Sequence, residues 1–150
     1  MVLRRGEGET LAVGGSSVVL KATGESTADS FFLSETLLEP GFPGPPPHRH
    51  RRLHDMFSVL EGRLTMRLGE ELVELGPGGF VCVPPGVVHA FSNRSEEPVR
   101  MLSFNAPAGW EPYMRDLGAA FSGEAPPTSE GIGRIASRYD FEVVGKASER

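Results

Sequence analysis

This sequence is short of several residue types, and each shortage narrows what the protein can be. It has one cysteine, Cys82, in 150 residues, so no intrachain disulfide can form. Cys82 lies in the apolar run Phe80-Val81-Cys82-Val83 and is expected to be a small buried hydrophobe rather than a reactive thiol. No stretch reaches the roughly 18 apolar residues that span a bilayer. The opening residues, Met1 to Glu9, lack the apolar core of a signal peptide. The expectation is a protein of a reducing, cytoplasmic compartment without membrane contact. Positive charge is also scarce: 15 Lys and Arg stand against 20 Asp and Glu, for a net charge of −5. That balance argues against a nucleic-acid partner, which would call for a basic face. Histidine is rarer still, with four residues in the whole chain.

Glycine and proline, by contrast, are abundant, at 19 and 13. They fall between short apolar runs at residues 16–23, 30–38, 55–60, 64–68, 72–75, 80–83, 87–91 and 99–104. Many short strands punctuated by turns indicate an all-β sandwich or barrel. Glu61-Gly62-Arg63 and Gly69-Glu70 read as hairpin turns. Strand alternation puts Asp55, Phe57 and Val59 on one face and Met56, Ser58 and Leu60 on the other. Both sets include apolar residues, so this strand is expected to be covered on both sides, and a homodimer is the expected assembly. After Pro107 the pattern changes. Trp110, Tyr113, Met114, Leu117 and Phe121 follow helical spacing. Thr128 can cap a second short helix carrying Ile132, Ile135 and Tyr139, and residues 141–144 can form a last edge strand. The length fits one domain over residues 1–150, with a β core at about 16–105 and a helical tail at about 108–150.

All four histidines lie in two segments, which scattering would rarely produce. The first runs from Gly41 through four prolines, three of them directly before His48, to His48, His50, His54 and Asp55. One residue separates His48 from His50, so on an extended chain both imidazoles share a face and can reach one ion. Asp55 follows five positions after His50. That odd spacing turns it to the wrong face unless a bend or bulge between Arg51 and His54 brings it back. The second segment, Gly78 to Asn93, carries Pro84, Gly86 and then His89 at the start of another apolar run. Three imidazoles and a carboxylate form a borderline donor set. It suits one divalent transition ion (Fe, Mn, Co, Ni, Cu or Zn) better than Ca or Mg. His54 is the alternative fourth ligand if the chain slips by one residue. Asp55 could instead be a turn carboxylate paired with Arg52.

These segments resemble the two motifs of the cupin superfamily. The second is complete in Gly78, Pro84, Gly86, His89 and Asn93; the first matches at Gly41, His48, His50 and Gly62, with Asp55 where the family usually has Glu. The resemblance implies an antiparallel jelly-roll β-barrel with short C-terminal helices. It also implies a metal held by His48, His50, Asp55 and His89 near one mouth. The tail is similar to that of small bacterial single-cupin proteins grouped with quercetin 2,3-dioxygenases. The implied activity is a metal-dependent, dioxygenase-like reaction on a small aromatic or hydroxylated substrate, with Asp55 as a catalytic base. The alternatives are a non-oxidative isomerase or cyclase and a non-catalytic small-molecule-binding module. Arg49, Arg51 and Arg52 read as a solvated rim, Asn93 as a strand-end hydrogen-bonder. Trp110, Tyr113 and Phe121 could cap the mouth, and Phe32, Phe57, Phe91 and Met66 could line a pocket.

Overall fold

A computed structural model describes residues 1–145. The apolar runs form strands that pair antiparallel throughout. In chain order they are β1 (Glu9–Val13), β2 (Ser16–Ala22), a one-turn helix α1 (Gly24–Thr27), β3 (Phe32–Leu38), β4 (His48–Arg49), β5 (His54–Glu61), β6 (Leu64–Leu68), β7 (Glu71–Leu75), β8 (Phe80–Val83), β9 (His89–Ser92) and β10 (Val99–Ala106). The tail adds α2 (Glu111–Phe121), α3 (Ser129–Ala136) and β11 (Glu142–Val143). Six strands form one sheet in the order β1-β2-β3-β10-β5-β8, and five form the other as β11-β4-β9-β6-β7. The architecture is a jelly roll, as the sequence implies. No helix among the described residues is long and apolar enough to cross a membrane.

Alternation decides what lies between the sheets. Phe57, Val59 and Met101 from the first sheet meet Leu64 and Met66 from the second in a buried cluster. Each such side chain stabilises the fold by about 1.5–3 kcal/mol relative to exposure. Asp55 is on the same inward face of β5 and is buried with them, while Met56, Ser58 and Leu60 are half-buried on the outside. Toward the other end, Val18, Leu20 and Phe32 pack against Trp110 and Met114 of the tail. The helical spacing read after Pro107 corresponds to α2, which buries Tyr113 and Leu117 against α3 and Phe141. Thr128 caps α3 by accepting a hydrogen bond from the Gly131 backbone N at 3.0 Å.

Three local expectations are corrected. The chain at Glu61-Gly62-Arg63 is not a hairpin, because β5 and β6 belong to different sheets. It crosses from one sheet to the other, and Gly62 is needed there: its φ is +83° and a Cβ would lie 2.3 Å from the Pro98 carbonyl oxygen. Gly69-Glu70 does join the paired strands β6 and β7. Cys82 is exposed, not buried. It lies on β8, an edge strand, and alternation turns it outward with Phe80 while Val83 goes inward. Finally, pairing begins at β1, before residue 16, because the mostly exposed Glu9–Val13 segment gives little apolar signal.

Candidate metal centre

The cluster sits where the two sheets meet. His48 on β4 and His89 on β9 are direct cross-strand partners in the five-stranded sheet. His50 follows β4 immediately. The chain then bends at Arg51-Arg52-Leu53 and enters β5 of the six-stranded sheet. That bend is the one the odd spacing requires. It lets Asp55 face the histidines from the opposite sheet. All four residues are buried, and one candidate ligand atom from each lies within 4.8 Å of the others.

The imidazoles are held in matching orientations. Nδ1 of His48 donates to the Pro46 carbonyl at 2.8 Å and Nδ1 of His89 to the Val87 carbonyl at 2.9 Å. Nδ1 of His50 donates to the Asp140 carbonyl. A carbonyl oxygen only accepts, so each ring carries a proton on Nδ1 and presents Nε2 to the cluster. Asp55 Oδ2 lies 2.9 Å from His89 Nε2 and 3.4 Å from His50 Nε2. Its other oxygen, Oδ1, accepts from Asn105 Nδ2 at 2.9 Å. Asn105 is the residue directly across from Asp55 on β10. The shorter Asp therefore reaches the cluster where the resemblance would place Glu.

The site fits a cation by its own chemistry. His50 Nε2 is buried with no hydrogen-bond partner among the described residues, the Asp55 carboxylate lying 3.4 Å away. An orphaned buried polar atom costs about 1–3 kcal/mol, which coordination to an ion would offset. Burial and the neighbouring His89 push His48 down to about 3, so it is neutral and carries a free lone pair at neutral pH. Burial alone would raise Asp55, but the close imidazoles of His50 and His89 outweigh it and hold the carboxyl at about 2. Burial draws His50 down, and its contacts with Asp55 and the Asp140 carbonyl more than reverse this. Three imidazole nitrogens and one anionic oxygen form a set that could hold a divalent transition ion.

The remaining candidates fall into place around this cluster. His54 is exposed on the other face of β5 and outside the cluster. Asp55 pairs with histidines, not with Arg52. Arg49 makes a two-pronged contact with Glu142, both distances 3.0 Å. Asn93 donates to the carbonyls of Leu38, Glu39 and Glu97 and accepts from Ser95, so it ties down strand ends as expected. Asn105, Asp140 and Phe141 carry no motif in the sequence, yet all three touch the cluster. Phe141 stacks on His48 with ring centres 4.1 Å apart, and Trp110 meets His50 edge-on at 5.1 Å.

A cavity of about 840 Å³ opens onto His48, Asp55 and Asn105. Phe32, Phe57, Phe91 and Met101 wall it, while Met66 is in the solid core. Trp110, Tyr113 and Phe121 of the tail also line it. Ser34, Thr36 and Ser103 form a polar strip along one wall. Among the described residues no Lys or Arg lines it, and Asp55 is the one charged group facing in.

Residues 34–105 match the cupin domain model. The chain thus carries a cupin domain, and its fold is the cupin jelly roll. A quercetin 2,3-dioxygenase of Bacillus subtilis (strain 168) is 30% identical over 126 residues, covering 84% of this chain and 37% of that protein. This chain therefore spans little more than a third of that relative's length. Two solved structures share the fold. The polyketide cyclase RemF from Streptomyces resistomycificus has a TM-score of 0.61 at 23% identity, over 71% of this chain and 78% of that one. KdgF from Halomonas sp. has a TM-score of 0.63 at 18% identity, over 72% of this chain and 94% of that one.

Proposed function

We propose that this chain is a metal-dependent cupin enzyme of the dioxygenase type, acting on a small, uncharged aromatic or hydroxylated molecule. The observation that carries this reading is the convergence of three imidazole Nε2 atoms and one carboxylate on an apolar cavity. His48, His50, Asp55 and His89 would hold one divalent ion. When bound, such an ion supplies Lewis acidity that lowers the pKa of a substrate hydroxyl and a template for its reaction with dioxygen. The chain supplies the rest. Asp55 is ionised at neutral pH and can accept a proton from a hydroxyl at hydrogen-bond range. Asn105 steadies the carboxylate oxygen that does not face the histidines. Trp110, Tyr113 and Phe121 add aromatic surface to the lining. With no cationic side chain in the lining among the described residues, a phosphate or carboxylate would enter uncompensated beside Asp55. The cavity volume lies within the usual range for a drug-sized organic ligand, roughly 300–1,000 Å³.

The test is oxygen uptake by Fe-, Mn-, Ni- and Cu-loaded protein with flavonols and catechols. Uptake with at least one combination is expected, and none with any would remove this reading. Asp55 beside the cavity would also serve a non-oxidative isomerisation or cyclisation by proton transfer. Turnover without oxygen would identify that chemistry instead. The working unit in this reading is a homodimer. Its support is the outward face of the six-stranded sheet, where Met56, Leu102 and Phe104 are half-buried neighbours and Phe80 is exposed.

A further inference from the structure

The C-terminal segment is wired into the cluster from a distance of about ninety positions. The Asp140 carboxylate accepts three successive backbone N–H groups of the bend: Arg51 at 2.6 Å, Arg52 at 2.9 Å and Leu53 at 3.0 Å. The carbonyl of the same residue accepts from His50 Nδ1. One residue therefore fixes the ring of His50 and the turn that delivers Asp55. Immediately afterwards β11 pairs with β4, with Val143 opposite His48 and Glu142 opposite Arg49.

We propose that Asp140 is a positioning residue of the metal centre, holding the Arg51-Arg52-Leu53 bend so that His50 and Asp55 converge on one ion. The proposal rests on the metal-centre reading above. The physical reason is cooperative. Three N–H groups at a sharp bend have no strand partner, and a carboxylate satisfies all three with charge-assisted hydrogen bonds. Without it the bend opens, the Asp140 main-chain carbonyl shifts away from His50 Nδ1, and the two halves of the ligand set drift apart. Groups that orient a metal-binding histidine are commonly worth about 10–100-fold in affinity.

The experiment compares full-length wild type with D140A, D140N and E142A. Co(II) affinity is read by chelator competition, the Co(II) visible spectrum reports ligand geometry, and long-range proton–nitrogen NMR of metal-free protein reports the His50 tautomer. D140A is expected to bind Co(II) about 10–100-fold more weakly, with an altered spectrum and a reduced Nδ1–H population at His50. D140N keeps one acceptor oxygen and should lose less. E142A breaks only the ion pair with Arg49 and should stay within about twofold of wild type, as an exposed pair contributes little. Wild-type affinity and spectrum in D140A, or an equal loss in E142A, would overturn the proposal. If D140A does not fold, wild-type behaviour in D140N overturns it. Failure of the wild type to bind Co(II) would sink the metal-centre reading alone. The tautomer comparison would still decide the role of Asp140, against it if D140A keeps the wild-type His50 signal.

Discussion

At the residue scale, the four ligating candidates differ in how they are held ready. His48 and His89 take their orienting carbonyls from two residues upstream, Pro46 and Val87, so their geometry is local. His50 depends on Asp140, far along the chain. His54 depends on nothing at the site. His89→Ala should therefore weaken metal affinity at least about tenfold. His54→Ala should leave it within about twofold; isothermal titration with Co(II) separates the two, and an equal loss would restore His54 as a ligand. Titration of the metal-free protein should follow His48. Held at about 3 in the fold against an ordinary 6.5, it binds a proton in the unfolded chain but not in the folded one between those values. Its contribution is thus complete above pH 6.5 and is lost progressively as pH falls toward 3. Asp55, lowered from 3.8 to about 2, keeps its full contribution down to about pH 3.8 and loses it between there and about 2. His50, shifted upward, acts in the opposite sense, favouring the fold at low pH. Urea midpoints in chelator should drop between pH 6.5 and 4, and His48→Ala should flatten that slope.

At the element scale, the loop before β4 shows how tightly the backbone must approach the sheet. Gly41 and Gly44 both have φ of +75°, but only one is crowded. A Cβ on Gly44 would lie 1.7 Å from the Phe91 carbonyl oxygen, whereas one on Gly41 would meet open space. Gly41→Ala should cost about 1–2 kcal/mol, the left-handed backbone strain alone. Gly44→Ala should cost more, because the proline-rich approach to His48 has to move as well. Chemical denaturation of the two variants measures the difference, and equal losses would mean the loop yields freely. The bend at residues 51–53 is the other decisive element. Its existence could be inferred from the parity of the His50–Asp55 spacing. Its cause could not, since the carboxylate that holds it belongs to the tail.

At the scale of the whole molecule, the two sheets and the tail act together: residues of both sheets, of α2 and α3, and Phe141 line one cavity. The outward apolar face of the six-stranded sheet predicts self-association. Sedimentation velocity should show a dimer at micromolar concentration, and monomer alone would contradict it. Much of this was legible beforehand. The His48-x-His50 pair, His89 behind its Pro-Gly turn, the alternation of β5 and the helical stripe after Pro107 are short-range patterns, and a single strand or helix fixes them. Cys82 misled because an apolar run does not reveal that its strand lies at a sheet edge, where one face stays open. The sequence by itself therefore determined the strand grammar, the confinement of all four histidines to two segments and the donor types available to an ion. Only the tertiary structure decided that Asp55 rather than His54 faces the histidines, that Asn105 and Asp140 hold them, and that no cationic side chain among the described residues lines the cavity. Those outcomes depend on which strands become neighbours, and that is set by packing between residues far apart in the chain.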